Sequence, residues 1–322
     1  MALMTYAAAA VAALECAMRA DPSVVALGED LGQGGVFGQY RGLLEAFGPE
    51  RVIDTPISES TIMGAAVGMA LVGLRPVVEM RVVDFALCAM DEIINQAAKA
   101  RYMFGGQGRV PLVARLPIGI WGASAAQHSQ SFEAWFAHVP GLVVVTPATA
   151  QDNYGLLTAA LASGDPVIYM EHKELWGTSG EVDAQHQVPL GKARIVRPGT
   201  DVTLVTWSKA VGLASAAVEQ LAGAGVSVEL IDLRTIWPWD REAVLTSAAR
   251  TRRLLVVHES IQVAGFGGEI AATVAEELGV RVKRLGGRRI PVGYAQPLED
   301  EARLSVAAIA TAARELAAFA VK

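Results

Sequence analysis

The sequence predicts an α/β protein of two domains, each a mainly parallel sheet flanked by helices. Three observations carry that prediction. The chain has 322 residues, and about 150 residues per domain suggests two domains. Short, wholly apolar runs alternate with longer segments of helical period, the pattern of crossover units in a parallel sheet covered on both faces. The alternation lapses once, over residues 173–198, and then resumes.

In the first domain, residues 23–27 (SVVAL), 77–80 (VVEM), 112–116 (LVARL), 142–145 (LVVV) and 167–170 (VIYM) read as buried strands. Helical spacing runs over 6–19, 60–72, 89–102 and 150–162. The stretch after Lys173 (WGTSGEVDAQHQ) is rich in Gly, Ser, Glu and Gln and has no apolar period, which marks a linker. Beyond it, strands are expected at 202–206, 226–233, 254–257 and 280–285, with helices at 210–224, 241–249, 267–277 and 302–318. The domains are therefore expected at 1–175 and 199–322, joined by 176–198.

Composition narrows the function. With 52% hydrophobic and 19% charged residues the chain can bury a large core, which excludes a disordered protein. Lys plus Arg is 27 and Asp plus Glu is 33, a net charge of −6 without a basic run, so nucleic acid and anionic membrane are poor partners. Two cysteines, Cys16 and Cys88, exclude a disulfide scaffold and a four-cysteine zinc site. The longest apolar run, 61–74, is shorter than the roughly 20 residues that span a bilayer. Residues 7–14 have no basic segment before them and do not read as a secretory signal. A cytoplasmic, oligomeric protein is expected, its surplus apolarity covered by other chains.

Familiar catalytic motifs are missing. The glycines at 32, 34, 35 and 38 follow the first strand but fit neither a dinucleotide fingerprint nor a P-loop, and a flexible turn accounts for them equally. No two histidines stand at i, i+4, and there is no G-x-S-x-G elbow. What remains is Asp54-Thr-Pro-Ile-Ser-Glu59-Ser60, between a strand end and a helix of small residues. Pro56 fixes an extended entry and Ser60 can cap the helix. Glu59 would then stand at a strand-to-helix corner, where open α/β sheets bind ligands. A solvated first-turn glutamate favouring the helix dipole fits as well. Gly64 and Gly68 bare one face of that helix for close packing on another chain. His128 lies in a polar insertion between two strands, a functional or a merely structural histidine.

Together these segments resemble the beta subunit of the thiamine-diphosphate-dependent dehydrogenase component of 2-oxo acid dehydrogenase complexes, the pyruvate, branched-chain and acetoin dehydrogenase family. The resemblance rests on Gly28-Glu-Asp30, Gly34-Gly-Val-Phe37, the 54–60 segment, Gly73-Leu-Arg-Pro-Val77 and Ala126-Gln-His-Ser-Gln130. It continues through Ala137-His-Val-Pro-Gly-Leu142, Ile231-Asp-Leu-Arg-Thr235, Pro238 with Asp240, and Ala264-Gly-Phe-Gly-Gly-Glu269. It implies a transketolase-like pyrimidine-binding domain followed by a transketolase C-terminal domain. It also implies that Glu59 holds N1′ of the cofactor aminopyrimidine and so favours the tautomer that generates the carbon nucleophile. Phe85 matches the aromatic packed on the pyrimidine, the backbone near Ile57 contacts the same ring, and His128 matches a histidine at the mouth of the substrate site.

Leu112, Ala160, Leu161, Ser163 and Asp165 fall where related subunits hold a structural potassium ion. Relatives bind the diphosphate and Mg²⁺ through a Gly-Asp-Gly segment of the alpha subunit, and this sequence contains no Gly-Asp-Gly. The implied enzyme is a heterotetramer of two alpha and two beta chains that is inactive without alpha and acylates the lipoyl group of a dihydrolipoyl acyltransferase core. Arg81 stands where relatives often carry Met or Gln. It is expected to line the cofactor or substrate entrance and to pair with Asp84 or Glu79. Cys88 stands where some relatives carry Gln. Tyr102-Met-Phe-Gly-Gly106 and the segment from Glu171 to Gly177 look acetoin-like, whereas Ala264-Gly-Phe-Gly-Gly-Glu269 looks pyruvate-like. Pyruvate or acetoin is the expected substrate. Two other classes compete: half of a split transketolase or 1-deoxyxylulose-phosphate-synthase-like enzyme, and a non-catalytic α/β scaffold.

Overall fold

A computed structural model describes residues 1–319; the last three residues of the expected second domain lie outside the described residues. The chain forms two compact units, one of Met1–Ile118 with Trp135–Leu190, the other of Gly119–Ala134 with Gly191–Lys322. In chain order the first contains β1 (Ala2–Thr5), α1 (Tyr6–Ala20), β2 (Val24–Gly28), α2 (Leu43–Phe47), β3 (Val52–Asp54), α3 (Glu59–Leu71), β4 (Arg75–Glu79), α4 (Ala98–Met103) and β5 (Val113–Arg115). After α5 (Glu133–Ala137) follow β6 (Val143–Val145), α6 (Ala150–Ala162), β7 (Val167–Tyr169) and β8 (Ser179–Val182).

Strands β6, β7, β5, β4, β2 and β3 lie side by side in that order, every pair parallel. Val24–Gly28 is buried at all five positions, so the run is apolar throughout rather than alternating. Helices α1 and α6 pack together over the sheet, with Ala9, Ala13, Leu14, Leu156 and Leu157 in the core. Each is capped by a threonine: Thr5 accepts from the Ala8 amide at 3.1 Å and Thr149 from Asp152 at 3.1 Å.

The second unit has β9 (Arg194–Arg197), β10 (Val202–Thr206), α7 (Ala210–Gly223), β11 (Val228–Asp232), β12 (Thr235–Trp237), α8 (Arg241–Thr251), β13 (Arg253–Ile261), α9 (Gly267–Leu278), β14 (Arg281–Gly287), α10 (Gln296–Asp300) and α11 (Val306–Ala317). Its sheet runs β14–β13–β10–β11–β9, parallel except for the edge strand β9. The pairs α7 with α11 and α8 with α9 pack against it. No helix among the described residues is long and apolar enough to cross a membrane.

The structure differs from the sequence reading in several elements. The aperiodic stretch after Lys173 contains β8, which pairs antiparallel with β1, and β9. Pairing partners far apart in sequence leave no periodic signal. The helix expected over 89–102 contains a π-helical segment, Glu92–Ala97, before α4. The helix expected over 302–318 begins later, because Ser305 caps α11 by accepting from the Ala308 amide.

A charged cluster lies in the core of the first unit. Arg115, fully buried, contacts Glu171 at 2.6 Å and Glu79 at 3.8 Å, and its guanidinium lies over the Tyr40 ring. Burial works against its charge, but Glu171, Tyr40 and Glu79 outweigh it and hold the cation. Glu79 also accepts from Tyr40 Oη at 2.9 Å and Gln39 Nε2 at 3.1 Å, while Gln39 Oε1 accepts the Phe37 amide at 2.8 Å. Asn153 donates to Glu171 and to the Tyr6 carbonyl, both at 2.9 Å. The network thus ties the glycine-rich loop after β2 to the sheet, and Phe37 on that loop stacks on Trp176 at 3.8 Å. Removing one partner of such a buried pair costs about 3–5 kcal/mol, because the other charge is stranded.

Burial pushes the Glu79 carboxyl up to about 7, against the lowering effect of Arg115. A carboxyl that binds its proton more tightly folded than unfolded favours folding most below its unfolded value and loses that contribution as pH rises through about 7. Glu79→Gln, which keeps the shape without the titration, is expected to flatten the decline of the thermal midpoint between about pH 5 and about pH 8. An unchanged slope in differential scanning calorimetry would contradict this account of Glu79.

Candidate functional site

Strand β3 lies on one side of β2 and β4 on the other, so the chain reverses direction across the sheet at β2. Open α/β sheets bind ligands at such a reversal, outside the carboxyl ends of the strands. The register sets Asp54, Gly28, Glu79, Arg115 and Tyr169 in one row at those ends. Gly28 has φ 154°, and a Cβ there would stand 2.7 Å from the Glu79 carbonyl, so glycine is required. The loop after β2 is also tied to β3. The Gly32 amide donates to Asp54 Oδ1 at 2.8 Å, and a Cβ at Gly32 would meet Asp54 Oδ2 at 2.3 Å.

Glu59 opens α3 and is half-buried; Ser58 takes the N-cap position. Ser60 therefore stands inside the helix instead of capping it, and its hydroxyl donates to Glu92 at 2.5 Å. Beside Glu59 the sequence reading missed Glu29, the residue after β2, which is 9% exposed. Burial raises the Glu29 carboxyl, and the negative charge of Glu59 raises it further. A carboxyl at the end of a buried strand is the signal that could have found it. A like charge nearby favours the protonated form of a buried carboxyl, here Glu29.

Arg81 is exposed and reaches Asp30 Oδ2 at 3.5 Å, not Asp84 or Glu79. Glu79 is already engaged by Arg115, Tyr40 and Gln39. Phe85 is half-buried in the 3₁₀ segment Val83–Ala89, and Ile57 is 74% exposed in the loop before α3. Gly64 and Gly68 are exposed, with nothing near Gly68. Glu59, Ile57, Phe85 and Arg81 all lie in the first unit, on segments that leave β3 and β4. His128 is exposed on the 3₁₀ turn Ala126–His128, in the segment that clusters with the second unit.

The residues of the potassium set already accept N–H donors. Arg75 donates to the Leu161 carbonyl at 2.6 and 3.0 Å and to the Ser163 carbonyl at 2.6 Å. The Ala160 carbonyl accepts from Ser163 N at 3.0 Å, the Leu112 carbonyl from Val167 N at 2.9 Å, and the Asp165 carboxylate pairs with Arg101 at 2.5 Å. Of the five, only the Leu161 and Ser163 carbonyls face the Arg75 guanidinium. Among the described residues no three His, Cys, Asp or Glu side chains are grouped to hold a metal ion.

Comparison with known proteins places these features in one family. The transketolase pyrimidine-binding domain matches residues 2–178 and the transketolase C-terminal domain residues 191–309. The chain is 44% identical, over 97% of its length and 85% of the relative's, to the mitochondrial pyruvate dehydrogenase E1 component subunit beta-2 of Oryza sativa subsp. japonica. It is 41% identical to the 2-oxoisovalerate dehydrogenase subunit beta of Bacillus subtilis, over 99% of this chain and 100% of that one. To the acetoin:2,6-dichlorophenolindophenol oxidoreductase subunit beta of Cupriavidus necator it is 42% identical, over 94% of each. A split-gene transketolase, solved as an inactive beta4 tetramer, shares the fold, with a TM-score of 0.83, 21% identity and 98% of each chain covered. The chain belongs to the family of beta subunits of the thiamine-diphosphate-dependent E1 components of pyruvate, branched-chain 2-oxo acid and acetoin dehydrogenase complexes.

Proposed function

We propose that this chain supplies the pyrimidine half of a thiamine diphosphate site in a cytoplasmic assembly of two alpha and two beta chains, active only with alpha. The observation that carries the reading is Glu59 at the strand-to-helix corner where the sheet reverses, electrostatically coupled to the buried Glu29. The residues fit an aminopyrimidine. Glu59 would hold a proton at a ring nitrogen, Phe85 would give an apolar face, and the backbone at the exposed Ile57 would meet the ring edge. Arg81, held beside the loop by Asp30, would border the entrance. The diphosphate and its Mg²⁺ fall to the alpha chain, since this sequence has no Gly-Asp-Gly.

Bound thiamine diphosphate supplies the carbon nucleophile for attack on the substrate carbonyl. The chain's own residues prepare that attack. Glu59 would share a proton with the ring nitrogen, and the carboxyl of Glu29, raised by burial and by the Glu59 charge, lies within its electrostatic reach. His128 would steady the substrate and donate hydrogen bonds as the acyl group passes to the lipoyl group of an acyltransferase core. Pyruvate or acetoin is the substrate favoured by the motifs at 102–106, 171–177 and 264–269.

Co-expressed with its alpha partner, Glu59→Gln is expected to lower turnover about 10²- to 10⁴-fold while the assembly still forms, measured with pyruvate, branched-chain 2-oxo acids and acetoin. Turnover at the unmodified rate would refute the role of Glu59. Phe85→Ala is expected to weaken thiamine diphosphate binding about ten-fold or more, through loss of the aromatic face. Unchanged affinity in fluorescence titration would remove Phe85 from the site.

A further inference from the structure

The loop that carries His128 has a backbone that its own sequence does not favour. Ala123 has φ 57°, and Ala125 has φ 58° with ψ −165°. The Ala125 conformation belongs to a region that is essentially reserved for glycine and persists only where surrounding structure imposes it. Ala125 immediately precedes the Ala126–His128 turn, so its conformation aims that turn.

The surrounding structure is a set of carboxylates in the same unit. Glu299 of α10 is fully buried; its Oε2 accepts the Ala123 amide at 2.7 Å, and its Oε1 is held by Arg303 at 2.6 and 3.1 Å. Glu259 of β13 accepts the Ile120 amide at 2.9 Å. Glu133, at the far end of the loop, accepts from the buried Trp207 indole at 3.0 Å, and Trp207 stacks on His258. The Gly119 amide closes the base of the loop on the Gln130 carbonyl at 3.0 Å. Both carboxylate-to-amide bonds are of the charge-assisted kind, which are about twice as strong as neutral ones.

We propose that Glu299, seconded by Glu259, is a positioning residue for His128: it holds Ala123, and through it the strained Ala125, in the conformation that presents the imidazole. The inference rests on the role given to His128 above. Small misplacements of a reacting group cost about 10²-fold in rate, so loosening this clamp should act on turnover.

The test uses the co-expressed alpha–beta assembly, with acyl transfer to a lipoyl acceptor as readout. Glu299→Gln keeps the shape but cannot accept from both Arg303 and the Ala123 amide, and should lower kcat about 10- to 100-fold with thiamine diphosphate affinity unchanged. In a His128→Ala background the same substitution should add less than about two-fold, because a positioning residue has nothing left to position. Adding Ala125→Gly to Glu299→Gln should restore part of the rate, since glycine takes positive φ freely. Where Glu299→Gln fails to assemble, Glu259→Gln reads the same clamp. A loss that multiplies fully with that of His128→Ala would overturn the proposal and make the carboxylates merely structural. His128→Ala with unmodified turnover would overturn the reading of His128 itself, an outcome distinct from the first.

Discussion

Arg115 stands between Glu79 and Glu171 at the carboxyl edge of the first sheet, wholly out of water. An unpaired guanidinium there would be prohibitive, so both carboxylates, Tyr40 and the Gln39 carbonyl must converge on it. That requirement reaches outward. Gln39 fixes the Phe37 amide, Phe37 stacks on Trp176, and Asn153 links Glu171 to the start of α1. The buried ion pair therefore determines where the loop after β2 runs, and with it one wall of the crevice at which the sheet reverses.

The crevice gains its chemistry from what the fold leaves beside that wall. Parallel register brings Asp54 and Glu79 to one level with Gly28, and the missing side chain of Gly28 admits the Glu79 backbone. Asp54 anchors the Gly32 amide, leaving Glu59, five residues after β3 and half-buried, as the carboxylate that opens α3. Burial and the Glu59 charge raise the carboxyl of Glu29. The fold that transketolases share supplies this corner. The identity of the chain as an E1 beta subunit comes from its relatives, not from the fold alone.

Much of this was legible in the sequence, for reasons that can be named. Strands buried on both faces read as unbroken apolar runs, so β2, β4, β5, β6 and β7 were found within a residue or two at most ends. Helix α6 was read with the right ends because Thr149 caps it and small apolar residues keep its period. The corner was legible because proline, serine and glutamate between a strand and a helix of small residues mark it, and Glu59 opens α3 there. The partner of Arg81 was not, since a side chain's choice among Asp30, Glu79 and Asp84 depends on what Arg115 has already claimed. The attachment of the Ala123 amide to Glu299, 176 positions away, leaves no local trace. Nor does an alanine announce that it will sit at φ 58°.

The central claim is that the chain holds half of a cofactor site, the half that activates the pyrimidine. Isothermal titration of thiamine diphosphate with Mg²⁺ tests it most directly, first into this chain alone and then into its co-expressed assembly with the alpha partner. The account predicts negligible heat with the lone chain and tight, Mg²⁺-dependent binding by the assembly. Tight, Mg²⁺-dependent binding by the lone chain would contradict it, because the diphosphate site would then lie within these 322 residues.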